Sequence, residues 1–139
     1  MTKNKELKIA GIVTLYNPTD DDIKNISTYI DDIDKLYIVD NTEGSDNKKR
    51  LPRNKKIEYI FKNENLGVAT AMNMGAEKAL KDGYKWLLTM DQDTTFKPGV
   101  MQKMKDVINS RDMKKIGIVT PWHHTKLIDK KPTEEFDDP

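Results

Sequence analysis

The sequence predicts an α/β fold, a mostly parallel sheet with helices on both faces, on the strength of three observations. Short apolar runs alternate along the chain with segments of helical periodicity. The runs are apolar throughout rather than at every second residue, as in strands buried on both sides. Polar or turn-forming residues close each run, so every strand has a defined carboxyl end.

Taken in order, the first strand is Ile9 to Leu15, stopped by Tyr16-Asn17-Pro18, where proline removes an amide and restricts the residue before it. Thr19 to Asp22 suit a helix N-terminus, and Ile23, Ile26 and Ile30 recur at helical spacing, which predicts a helix of about three turns. Leu36 to Val39 is a second strand, ending in Asp40-Asn41-Thr42 and a polar surface loop to Asn54 that contains Gly44 and Pro52. A third strand, Ile57 to Phe61, turns through Asn65-Leu66-Gly67 into a second helix. Ala69, Met72, Ala76, Ala79 and Leu80 share one face of it, and Gly83 ends it.

Trp86 to Met90 is a fourth strand, closed by Asp91-Gln92-Asp93-Thr94-Thr95. Pro98-Gly99 leads into a third helix with Val100, Met104, Val107 and Ile108 as its apolar stripe, and Ile116 to Val119 reads as a fifth strand stopped by Pro121. Beyond Thr125 the chain is charged and aperiodic. These features predict an α/β domain over residues 1–125 and a charged tail over 126–139.

A length of 139 residues suits one domain. Twenty-four basic and 23 acidic residues leave a formal charge of +1, which removes the bulk electrostatic argument for a nucleic-acid partner. The absence of cysteine excludes a disulfide framework, a thiolate zinc site and a cysteine nucleophile. No apolar stretch approaches the roughly 18 residues of a membrane span, and Met1 to Lys8 lack the apolar core of a signal peptide, so a cytoplasmic location is expected. There is no G-x-G-x-x-G after the first strand and no G-x-x-x-x-G-K-[ST], which sets aside dinucleotide and P-loop sites.

In parallel sheets ligands bind outside the carboxyl ends of the strands, near the point where strand order reverses. That rule selects Thr14, Tyr16, Asp40, Asn41, Asp91 and Asp93. The pattern Asp91-x-Asp93 is weak by itself: with 16 aspartates in 139 residues, about 1.8 such pairs arise by chance, and three occur. Its place after an apolar strand suits a divalent cation shared with diphosphate oxygens, while a plain turn before the third helix is the simpler reading of the pair alone. Asp40 has the same two readings, an acceptor for a base or ribose and a strand-ending Asx turn. His123 and His124 read as incidental, and the basic run Asn47 to Lys56 as a solvated loop.

Five segments, Ile12-Val13-Thr14-Leu15-Tyr16-Asn17-Pro18, Ile38-Val39-Asp40-Asn41-Thr42, Asn63-Glu64-Asn65-Leu66-Gly67-Val68-Ala69, Ala71-Met72-Asn73-Met74-Gly75 and Leu88-Thr89-Met90-Asp91-Gln92-Asp93, together resemble the family 2 glycosyltransferases with the A-type fold. Their wording is similar to rhamnosyltransferase-like members. The resemblance implies a UDP- or dTDP-sugar donor with Thr14 and Tyr16 flanking the nucleotide and Asp40 pairing with the base. It implies Asn65, Gly67 and Asn73 along the donor site, Asp91 near ribose and metal, and Asp93 as a ligand of Mg²⁺ or Mn²⁺. The reaction implied is inverting transfer to a hydroxyl of a glycan or lipid-linked acceptor, in bacterial surface polysaccharide synthesis, with peripheral membrane association. The resemblance also implies that the tail over 126–139 begins an acceptor-binding part; no catalytic base is evident, since Glu134, Glu135 and Asp137 stand in an unpatterned charged segment. A nucleotide-sugar-binding module without turnover is the alternative.

Overall fold

The computed structural model of the chain describes residues 7–121. Four strands, β1 (Ile9–Leu15), β2 (Lys35–Asp40), β3 (Ile57–Phe61) and β4 (Trp86–Met90), make one sheet in the order β3-β2-β1-β4, and each neighbouring pair is parallel. The chain steps outward from β1 to β2 and β3, then returns to the other side of β1 as β4. Strand order therefore reverses between β1 and β4.

Helices α1 (Asp20–Asn25), α2 (Val68–Lys81) and α3 (Val100–Ser110) complete the layers. Successive strand residues point to opposite faces, and the packing follows that two-residue period. Ile9, Val13 and Leu15 join Leu36, Ile38, Leu88 and Met90 in a cluster with Ile23, Ile26, Tyr29, Ile30, Ile33 and Met101, which belong to the α1 and α3 layer. Ala10 and Tyr37 face the other way, onto Ala79 of α2.

Helix α2 lies close to the sheet because its buried positions, Ala71, Gly75 and Ala79, are all small and four residues apart. A Cβ on Gly75 would stand 2.6 Å from Ile12 Cγ2, inside the fully buried core. The helix closes as expected at Gly83: the Gly83 amide donates to Leu80 O and the Tyr84 amide to Ala79 O, the paired bonds of a Schellman motif.

Four expectations are corrected. The first helix runs for only six residues and then tightens into 3₁₀ turns at Ile26–Thr28 and Ile30–Asp32. Ser27 Oγ and Thr28 Oγ1 donate back to the carbonyls of Lys24 and Asn25, which competes with the α-helical ladder while keeping all three isoleucines buried. On α2, Leu80 is exposed and so is Ala69, because the buried stripe is set by the close approach at Gly75 rather than by side-chain size. On α3 the deepest residue is Met101, one position from the expected stripe, and Val107 is exposed. Ile116 to Val119 forms no strand: the segment makes no ladder, and Ile118 is 86% exposed. The boundary at residue 125 and the tail lie outside the described residues.

Replacing Gly75 by valine forces α2 away from Ile12 and should lower stability by about 1–3 kcal/mol. Urea unfolding measures this, and an unchanged midpoint would show that the close approach is not required.

Candidate functional site

The carboxyl ends of the strands are tied to one another loop by loop. Past β1, Tyr16 N–H donates to Gln92 Oε1 at 2.8 Å and Asn17 N–H to Thr42 Oγ1 at 2.9 Å. Past β2, Gly44 N–H donates to Asn63 Oδ1 at 2.7 Å. One edge is thereby built from the exits of all four strands.

A cavity of about 350 Å³ opens on this edge at the strand-order reversal, lined by Thr14, Tyr16, Asn41, Asn65, Gly67, Val68, Asp91 and Gln92. Gly67 opens α2 with φ 77° and ψ 157°, a conformation in which a side chain is strained, and its amide donates to Asn65 Oδ1. The start of α2 therefore faces the cavity with its first amides unused by the helix ladder. Two buried side-chain atoms here lack partners, Thr14 Oγ1 and Asn41 Oδ1. Asn41 is oriented by donation from Nδ2 to Gly67 O at 3.2 Å, so its orphan atom is the acceptor.

Asp40 stands elsewhere. Strand alternation sends it to the face opposite Thr14 and Asn41, where it is 1% exposed. Oδ1 accepts the Thr42 amide at 2.9 Å, and Oδ2 accepts the Asn47 amide at 3.2 Å, Asn47 Nδ2 at 2.9 Å and the Tyr59 hydroxyl. Burial alone would raise its pKa, but the donors Tyr59, Thr42 and Asn47 together hold it below the usual 3.8. Burial and the bond to Asp40 push the Tyr59 hydroxyl up. The turn reading thus describes Asp40: it organises the loop after β2 and does not line the cavity.

Asp91 and Asp93 share a β-turn closed by Thr94 N–H to Asp91 O at 3.1 Å. Both are exposed although they follow an apolar strand, so neither carries the cost of a buried carboxylate. Asp91 lines the cavity and Asp93 stands outside it on the same turn. Neither carboxylate has a hydrogen bond or ion pair among the described residues, and no group of three or more His, Asp or Glu there converges on one point. A cation would need ligand and water oxygens besides this pair, which fits Mg²⁺ or Mn²⁺ shared with a diphosphate. Asn73 is exposed on α2 beyond its first turn and does not reach the cavity. Reading by residue type missed Gln92 and Val68, and passed over Asn41 in favour of Asp40; the two-residue period of β2 was the signal that separates the last two.

Other polar features serve structure. In the basic run, Arg50 donates to Asn47 Oδ1 and Asp20 Oδ1, and the Lys56 ammonium to the carbonyls of Ile30 and Asp31. A larger cavity of about 570 Å³ lies at the amino ends of the strands, where Lys56 and Lys105 already hold backbone carbonyls. His123, His124, Glu134, Glu135 and Asp137 lie outside the described residues. No helix among those residues is long and apolar enough to cross a membrane.

Because its folded pKa is depressed, Asp40 contributes stability in full above the unfolded value, and that contribution is lost as pH falls through the folded pKa. Asp40→Asn should therefore cost about 3 kcal/mol at neutral pH, with buried donors left facing an amide. Urea unfolding should show the gap to the parent narrowing below about pH 4. A gap independent of pH would rule out the carboxylate as its source.

A family profile described as glycosyl transferase family 2 matches residues 19–134. The curated dTDP-rhamnosyl transferase RfbF of Shigella flexneri is 25% identical over 115 residues, covering 80% of this chain and 38% of that protein. The chain thus spans well under half the length of that relative. With a match over most of its residues and an all-parallel sheet whose carboxyl edge carries the cavity, the chain belongs to the family 2 glycosyltransferases.

Proposed function

We propose that this chain binds a nucleoside-diphosphate sugar at the carboxyl edge of its sheet for transfer of the sugar, with inversion, to a hydroxyl of a glycan or lipid-linked acceptor. The observation that carries the reading is the pair of buried, unpartnered atoms Thr14 Oγ1 and Asn41 Oδ1 beside the start of α2. An unmet acceptor at Asn41 calls for a ligand N–H or hydroxyl, as a base or ribose offers. The Val68 amide, which the helix ladder leaves unused, suits an anionic phosphate with the dipole of α2 behind it. Recognition assigned from sequence to Asp40 passes in this reading to Asn41, since Asp40 is fully bonded within the protein.

Tyr16, 44% exposed at the mouth, offers an aromatic face to the nucleotide. Asp91 and Asp93 would hold Mg²⁺ or Mn²⁺, which offsets the negative charge of a departing diphosphate. The carboxylates otherwise repel the diphosphate, so nucleotide binding should require the metal. The Shigella flexneri relative, a dTDP-rhamnosyl transferase, supports a dTDP-sugar with rhamnose as the sugar, and a role in bacterial surface polysaccharide synthesis follows as part of the same proposal.

Titration calorimetry with UDP and dTDP, each with and without Mn²⁺, tests the reading. Binding should appear with Mn²⁺, disappear with EDTA and weaken at least tenfold in Asp93→Asn, as loss of a charged ligand worth about 1.5–3 kcal/mol predicts. Metal-independent binding of equal strength would refute the assignment of the acidic pair.

Thr14→Val gives a second test. It removes a hydroxyl that has no partner among the described residues, so thermal stability should hold or rise while nucleotide affinity falls by about 0.5–1.5 kcal/mol. A variant that loses stability and keeps its affinity would place the Thr14 hydroxyl in the fold rather than in the ligand site.

A further inference from the structure

Between the two aspartates stands a residue with a different set of attachments. Gln92 occupies the second position of the turn Asp91–Thr94, partly buried where its neighbours are exposed. Its Oε1 accepts the Tyr16 amide at 2.8 Å, its Nε2 donates to Asp22 Oδ2 at 3.3 Å, and its carbonyl accepts from Asn25 Nδ2 at 3.3 Å. Three bonds thus join one residue of the β4 exit to the β1 exit and to α1, while Asp91 and Asp93 make none with their carboxylates.

From this geometry we infer that Gln92 is a positioning residue, which holds the Asp91 and Asp93 turn against Tyr16 so that the carboxylate pair and the nucleotide-facing end of β1 form one rigid edge. The inference rests on the proposed reading of Asp91 and Asp93 as metal ligands. Two carboxylates two residues apart repel one another, and an exposed turn that carries them splays unless something else fixes it. Fixing it beforehand removes an ordering cost from the binding step. Glutamine suits the place because one side chain must accept from an amide and donate to a carboxylate at once. Glutamate would keep the acceptor for Tyr16 and set a second negative charge against Asp22. Alanine would release both.

The experiment is calorimetric titration of the full chain with Mn²⁺ and UDP or dTDP, beside thermal unfolding of the free protein. The parent is compared with Gln92→Ala and Gln92→Glu. We expect both variants to raise the Mn²⁺ concentration for half-maximal nucleotide binding about tenfold, the usual scale for residues that orient metal ligands. Unfolding temperatures should change too little to explain the shift. An unchanged Mn²⁺ midpoint in Gln92→Ala would overturn the positioning role alone. A parent that binds neither nucleotide with Mn²⁺ would overturn the metal reading and this inference with it.

Discussion

A buried carboxylate without a cation organises the upper edge of the sheet. Asp40 is neutralised by dipoles alone: the amides of Thr42 and Asn47, the side-chain amide of Asn47 and the hydroxyl of Tyr59. A charge removed from water requires such donors, and its demand draws in three residues from the loop after β2 and from β3. Those residues then carry the arrangement outward. Thr42 Oγ1 takes the Asn17 amide past β1, and Asn47 Oδ1 takes Arg50, which reaches Asp20 on α1. The cavity next to this assembly owes its shape to a group that never enters it.

The strands were legible in the sequence because their signal is local. Ile9–Leu15, Ile57–Phe61 and Trp86–Met90 are bounded on both sides by polar or turn residues, and the structure begins and ends them there. Elements that depend on partners were less so. Ile116–Val119 has the composition of a strand and no strand beside it among the described residues. The first helix has the right spacing of isoleucines, yet whether Ser27 and Thr28 bond to water or back to the helix is not written in periodicity. The inward phase of α3 turns on Met101, which the expected stripe of Val100, Met104, Val107 and Ile108 left out.

Much of the cavity lining was legible in the sequence. The rule about carboxyl ends selected the edge on which the cavity opens, and Thr14, Tyr16, Asn65, Gly67 and Asp91 come together there. Chemical type favoured the charged Asp40 over the neutral Asn41, whereas geometry gives the cavity to Asn41. A strand has two faces, and neighbouring residues at its end serve different layers. Asn73 shows the same limit on a helix, where a residue six places into α2 is carried round and away from the opening. Gln92 had no reason to attract notice, since its attachments lie 67, 70 and 76 positions away.

The small-residue stripe of α2 also bears on motion. Ala71, Gly75 and Ala79 let the helix approach the sheet, but they bury little apolar surface, whereas the opposite layer is anchored by Ile23, Ile26, Tyr29, Ile30 and Met101. Burial scales with area, so α2 is held mainly by shape and by its ends. Helices held in this way open locally at less cost than the strands beneath them. The cavity wall formed by the start of α2 should therefore open more readily than the wall formed by the strands, and a ligand bound against it would register as slowed amide hydrogen exchange in the opening turns of α2.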